Sequence, residues 1–187
     1  DHDVFLPENV VRHTLDWREM CDHKVDAVKG QMSYIAPDLD IETSHTHLTG
    51  QESNAVINST LNSLTKCDLI IDATASSSVF NLLSSISSNS EKPLIWMEVY
   101  AGGIGGMVAR SRPHIDPPPQ IIRLAYLNAI ADSDVTGISV AEGYTFENDD
   151  DQVFVATDAD IGIIAGYATK LAMDSIIPQE QPLFPHS

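Results

Sequence analysis

Residues 67–78 read Cys-Asp-Leu-Ile-Ile-Asp-Ala-Thr-Ala-Ser-Ser-Ser, and this stretch decides the fold. Leu69, Ile70 and Ile71 run without alternation into Asp72, the pattern of a strand buried on both faces of a parallel sheet. The serines at 76, 77 and 78 then offer a helix cap, and Val79, Leu82, Leu83 and Ile86 fall on one helical stripe behind it. A buried strand feeding directly into a helix is the working unit of an α/β domain. Ahead of it, 52–64 carries Ile57, Leu61 and Leu64 at helical spacing. Behind it, 84–90 is so rich in serine that it reads as a loop or a fraying helix end. A strongly apolar strand is expected at 94–100. After the bend Ala101-Gly102-Gly103 a third strand, antiparallel to the second, is expected at 104–110.

The rest of the chain extends this pattern. The prolines between 113 and 119 break regular structure, a helix follows at 120–130, and a polar connection carries an acidic tip at 147–151. The last helix is the clearest. Thr157 or Asp158 caps it, Ile161, Ile164, Ala168, Leu171 and Ala172 form its core face, and it ends before Pro178. Near the start, Pro7 suits the first position of a helix running toward Trp17. A second helix spans 24–35 on Val25, Val28, Met32 and Ile35, and Pro37 stops it. Leu39, Ile41 and Thr43 alternate as in a short edge strand. The expected architecture is one α/β domain over 1–187, with a mostly parallel sheet flanked by helices and an antiparallel extension.

Composition narrows the function. A net charge of −17 over 187 residues repels nucleic-acid phosphates and argues against a nucleic-acid binder. No apolar run reaches the roughly 18 residues of a membrane span. Two cysteines are too few for a disulfide framework or a four-thiolate zinc site, and a reducing cytoplasm is the natural compartment. Four of the ten cations, Arg12, Arg18, Lys24 and Lys29, lie in the first 29 residues, and Arg110, Arg112 and Arg123 add three more. Cations gathered against an acidic background point to local anion sites.

Residues 1–24, DHDVFLPENVVRHTLDWREMCDHK, arrange those charges in an order a nucleotide site requires. Asp1 and Asp3 come first, as an acid for ribose hydroxyls would; Arg12 and Lys24 follow at expected helix starts, as cations for phosphates would. Taken singly, Arg12 and Lys24 read by default as solvated helix residues. Asp72, at the carboxyl end of its strand, reads either as a ligand-facing acid or as a cap for the next helix. The chain opens on the acid, so a first strand and a glycine-rich phosphate loop are expected ahead of residue 1.

The string DHDVFLPENVVRHTL…HKVDAVKGQMSYIAPDLDI, with Asp1 and Asp3, Asn9 and Arg12, Lys24, Pro37 and then Asp72-Ala73-Thr74, resembles the ThiF/MoeB adenylyltransferase family, which includes the ubiquitin-activating enzymes. Farther on, GGIGGMVARSRPHIDPPP and VATDADIGIIAGYATKLAMD resemble the later strand pair and long helix of that family's bacterial ubiquitin-like-conjugation branch. The resemblance implies a Rossmann-like sheet and ATP and Mg2+ as cofactors. It also implies a ubiquitin-like or sulfur-carrier protein as substrate, and a homodimer. It implies that Asp1, Asp3 and Asn9 lie at the nucleotide, that Arg12 and Lys24 act on its phosphates, and that Asp72 takes the metal.

The chain departs from that pattern in ways that keep other readings open. A second acid usually follows the Asp-x-Thr strand end for magnesium; here the position is Ala75, followed by Ser76. The paired zinc cysteines and a later catalytic cysteine are missing, since no cysteine follows Cys67. Cys21 reads as a sulfur carrier only secondarily, and Cys67, entering a strand, reads as core. Gly102-Gly103-Ile104-Gly105-Gly106 is an incomplete dinucleotide motif and reads as a close-packing bend. His45 and His47 lack a third metal ligand, and Asp158 and Asp160 suit a helix cap better than a calcium loop. Two further functions therefore stand beside adenylation. One is a non-catalytic partner or dimerisation domain, and the other is an NAD-dependent oxidoreductase that uses Asp1 for its ribose.

Overall fold

The computed structural model describes residues 2–48, 54–131, 145–147, 152–177 and 183–184, and by its internal contacts the chain divides into two units, Asp1–Asn62 and Ser63–Ser187. In the first unit, helix α1 spans Lys24–Ile35 as its periodicity predicts. Its stripe is only half used, however. Ala27 is buried and Val28 packs at the edge of a small core made with Phe5 and Leu15, whereas Met32 and Ile35 are exposed. The helix expected from Pro7 to Trp17 does not form. Two short 3-10 turns, Pro7–Arg12 and Trp17–Glu19, replace it. The first turn ends at His13, whose backbone is extended, and Asp16, also extended, caps the start of a second turn by accepting the Arg18 N–H at 2.9 Å, as Asn9 Oδ1 caps the first by accepting the Leu6 N–H at 3.0 Å.

The strand expected at Leu39, Ile41 and Thr43 is also absent; those residues are irregular, with Leu39 exposed. Thr43 Oγ1 instead donates to Asp26 Oδ1 at 2.9 Å, and His45 Nε2 lies 2.8 Å from Asp26 Oδ2. Side-chain bonds to α1 thus hold the segment where backbone pairing was expected. Helix α2, Asn54–Leu64, follows and bridges the two units in sequence. Residue 52, where that helix was expected to begin, lies outside the described residues.

The second unit is built around the stretch 67–78. Strand β1, Ile70–Asp72, is parallel to β2, Leu94–Tyr100, and β2 is antiparallel to β3, Gly105–Ser111. Between β1 and β2 runs α3, Ser77–Ser90, capped by Ser76, whose Oγ accepts from Val79 N–H at 3.5 Å. The serine-rich end expected to fray is helical to Ser90. Burial of Val79, Phe80, Leu83 and Ile86 holds the helix, and Ser85 and Ser90 satisfy their hydroxyls on the carbonyls of Asn81 and Ile86 within it. Cys67, expected in the core, is exposed.

Helix α4, Pro119–Ala131, starts with proline at its first position. Strands β4, Thr145–Glu147, and β5, Val153–Val155, pair antiparallel, and the rest of the acidic tip at 148–151 lies outside the described residues. Helix α5, Asp158–Ile176, is capped reciprocally by Thr157 and Asp160, as helix-cap acids would do.

Parity along β2 sorts the layers. Ile95, with Met97 and Val108 around it, packs on Ala168, Leu171 and Ala172 of α5. On the opposite face, Trp96 meets Phe80 of α3 and Glu98 meets Arg123 of α4. The result is a mixed α/β unit with a three-stranded sheet carrying helices on both faces. The Gly102-Gly103 bend is a close-packing segment. Gly102 has φ +61° and a Cβ there would lie 2.6 Å from Phe154 of β5.

Candidate functional site

A short antiparallel tie positions the first cluster. Phe5 N–H donates to Asp22 O, Cys21 N–H to Phe5 O and Lys24 N–H to Asp3 O, with Val4 opposite His23. This lays residues 3–5 along 21–24 and brings Asp3 to the first turn of α1. There Lys24 Nζ reaches Asp3 Oδ2 at 3.0 Å. The Lys24 side chain is 18% exposed and that of Asp3 is 50% exposed. The Lys24 hydrogen bond, outweighing some burial, holds the Asp3 carboxyl below its ordinary acidity range. An ammonium has three N–H donors, so Lys24 retains capacity for a second anion beside Asp3. The position is also favourable for one, because it is the N-terminus of a 12-residue helix.

The other expected residues fall into distinct places. Asn9 is buried, and its Oδ1 accepts the Leu6 N–H at the first 3-10 turn, a structural duty. Arg12 closes that turn. Asp1 lies outside the described residues. Asp72 belongs to the other unit, at the end of β1, where it is buried and its Oδ1 accepts from Thr74 N–H at 2.9 Å and Thr74 Oγ1 at 2.7 Å. Those bonds make it the cap of its own turn and leave Oδ2 as the carboxylate oxygen available to a ligand. Ala75 follows with φ 52°, a left-handed conformation in the turn that leads into α3.

The donor sets can be weighed against ATP and magnesium. Lys24 at a helix N-terminus fits a phosphate. Asp72 would offer a magnesium ion one carboxylate oxygen, and magnesium ordinarily takes only one or two carboxylates from a protein. Among the described residues, no group of three or more His, Cys, Asp or Glu side chains is placed to hold a metal ion.

Two features went unread in the sequence. Asp26, Thr43, His45 and Thr46 line an open cleft of about 400 Å³. His23 stacks on His45 at 4.1 Å, and bonds from Thr43 and then His45 hold the Asp26 carboxyl below its ordinary range. The second feature is a polar cluster under α4 in the other unit. Arg123 Nη2 donates to Glu98 Oε1 at 3.1 Å and to Ser77 Oγ at 3.0 Å, and its guanidinium lies 4.9 Å over the Phe80 ring. The signal for it was Glu98, an acid inside the apolar run LIWMEVY.

The anion-site reading of Arg110 and Arg112 needs correcting, because internal acids engage both. Arg110 pairs with Asp174 at 2.8 Å with both side chains fully buried, and Arg112 pairs with Asp116 at 2.8 Å. The Arg110–Asp174 pair also fastens the chain end. Arg110 donates to Phe184 O, and Asp174 accepts from the Leu183 and Phe184 N–H groups.

Comparison with known proteins agrees with the fold. Among solved structures, the chain is similar to selenomethionine PaaA with a TM-score of 0.57 at 15% identity, covering 93% of this chain and 54% of PaaA. The likeness is one of fold, and this chain spans about half the length of that protein. No curated protein matches the chain. The model of the ThiF family matches residues 1–125, two thirds of the sequence and all of the elements from the Asp3–Lys24 tie through β3, so the chain belongs to the ThiF family.

Proposed function

We propose that the protein uses ATP and Mg2+ to adenylate the C-terminal carboxylate of a ubiquitin-like or sulfur-carrier protein. The observation that carries this reading is the tie between 3–5 and 21–24, which sets a cation, Lys24, and an acid, Asp3, together at the start of α1. The reaction joins a carboxylate oxygen of the carrier to the α-phosphorus of ATP and releases pyrophosphate. A carboxylate is already ionised at neutral pH, so this chain need supply no general base. Its task is to neutralise charge on the phosphates and on the departing pyrophosphate. Lys24 and Arg12 take that role, Asp1 and Asp3 hold the ribose end with Asn9 shaping the turn between, and Asp72 Oδ2 holds the metal.

We place the protein in the cytoplasm, as a homodimer. Two free, exposed cysteines support a reducing compartment. Among the described residues no helix is long and apolar enough to cross a membrane. ATP–pyrophosphate exchange in the complete protein, driven by a candidate carrier, tests the reading. Carrier-dependent exchange is the expected result, and NAD reduction without exchange would replace adenylation with the oxidoreductase reading. A non-catalytic partner role is favoured by one observation, Ala75 standing where a second magnesium acid is expected. Binding of the carrier with no exchange at any ATP concentration would select it.

A further inference from the structure

The polar cluster between β2 and α4 has more hydrogen-bond donors than acceptors. Trp96, Glu98 and Tyr100 share one face of β2. Asp72, the last residue of β1, pairs with Trp96, so Glu98 and Tyr100 lie two and four residues farther toward the carboxyl end of the sheet. Ligands of open α/β sheets gather at that end. The cluster therefore sits beyond the Asp72 turn and beside Ser77, the first residue of α3.

Glu98 and Ser77 are the acceptors that Arg123 uses. Against them stand Arg123 Nε and Trp96 Nε1, both buried and neither with a hydrogen-bond partner, while the Tyr126 hydroxyl beside them bonds with that of Tyr100. Arg123 and Tyr126 are three residues apart on α4, hence neighbours on one helix face. Burial, and then the bond with Tyr100, drive the Tyr126 hydroxyl well above its ordinary pKa, so it stays protonated and adds no negative charge to the cluster. Natural structures rarely leave buried donors unmatched, and an arginine N–H among them calls for an acceptor from outside. The Arg123 side chain is 18% exposed and the Glu98 side chain 13% exposed, so the pair lies at a rim that a ligand can reach.

The ligand that complements this set supplies oxygen acceptors and no donors. A planar carboxylate matches the guanidinium fork. A dianionic phosphate would meet stronger repulsion from Glu98. We propose that Arg123, steadied by Glu98 and the Phe80 ring, recognises the terminal carboxylate of the polypeptide that is to be adenylated. The inference rests on the adenylation reading for the identity of the carboxylate. Glu98 has a second effect, because it competes with the incoming carboxylate for the same guanidinium and so sets the affinity.

The test uses the complete protein without nucleotide and a fluorescent peptide ending in a glycine with a free carboxylate, beside the same peptide as its C-terminal amide. The free acid is expected to bind about tenfold or more tightly than the amide, the strength of one charge-assisted hydrogen bond. Arg123→Gln abolishes that preference, Arg123→Lys restores part of it, and Glu98→Gln strengthens acid binding. In carrier-driven pyrophosphate exchange, Arg123→Gln raises KM for the carrier and leaves KM for ATP unchanged. Equal binding of acid and amide overturns the proposal. So does an Arg123→Gln protein with native circular dichroism that keeps the preference, or inorganic phosphate that occupies the Arg123-dependent site more tightly than the acid. An acid preference without any exchange rejects adenylation and retains the recognition site, so the two readings fail separately.

Discussion

Replacing Asp174 with alanine isolates a fully buried ion pair in the second unit. The Arg110 and Asp174 side chains are both fully buried, and the carboxylate also accepts two backbone N–H groups from residues 183 and 184. Removing one partner of such a pair leaves a buried, uncompensated charge, at a cost of about 3–5 kcal/mol. That is a large share of the ~5–15 kcal/mol that stabilises a domain. For a unit of this size it corresponds to a drop in Tm of roughly 10–20 °C. Urea unfolding followed by tryptophan emission reports it cleanly, because Trp96 is 1% exposed and lies in the same unit, whereas Trp17 is already 67% exposed. The double variant Arg110→Met/Asp174→Leu, which removes both charges, is expected to recover most of the loss, since apolar replacement of a buried pair is often neutral or stabilising by about 1–4 kcal/mol. A loss below about 1 kcal/mol in the single variant would place the pair in water and refute the reasoning. A double variant as unstable as the single one would do so as well.

Three further outcomes follow from the same contacts. Lys24→Ala in the complete protein should lower ATP–pyrophosphate exchange on the order of a hundredfold, the worth of one charge-stabilising donor, with circular dichroism unchanged; an unaltered rate removes Lys24 from the site. Gly102→Ala forces a Cβ to 2.6 Å from Phe154 at φ +61°, and chemical denaturation should register a loss of about 1–3 kcal/mol or more; an unchanged midpoint would mean that the bend is not close-packed. The Arg110 bond, outweighing burial, holds the Asp174 carboxyl below its ordinary range. Its contribution is therefore complete above the unfolded carboxylate pKa of about 3.9 and is lost as pH falls through the lower folded value. Stability measured between pH 6 and pH 2 (a range of roughly four units) should fall at the acid end, and Asp174→Asn should flatten that fall.

Elements whose pattern repeats over many residues were legible from sequence alone. The run into Asp72, the apolar strand ending at Tyr100 and the capped helix from Asp158 to Ile176 all formed as read. What stayed hidden depended on side chains bonding to backbone or to distant partners. Extended backbone at His13 and a fresh cap at Asp16 split an expected helix into two 3-10 turns, serine hydroxyls bonded back within α3 through Ser90, and Asp26 captured Thr43 and His45 in place of an edge strand. The candidate site followed the same division. Asp3 and Lys24 were singled out by order and spacing. Their meeting, 21 residues apart in sequence, needs the antiparallel tie, which no periodicity announces. Arg123 was counted among the cations, but its partners Ser77 and Glu98 come from two other elements.

The bond between Asp3 and Lys24 has a thermodynamic consequence for any nucleotide that uses both ends of the site. On the proposed reading, a sugar hydroxyl draws on the carboxylate and a phosphate draws on the ammonium. Lys24 can keep Asp3 while it takes a phosphate, but each fragment, bound alone, draws charge away from the same internal contact and weakens it. Once one has done so, the other meets a partner less tightly held. Adenosine and pyrophosphate should therefore bind with positive cooperativity, each raising the affinity of the other by an equal factor. The coupling should fall when Asp3→Asn weakens the contact beforehand. In that sense the ion pair acts as a coincidence detector, favouring a molecule that brings sugar and phosphate together over either part alone.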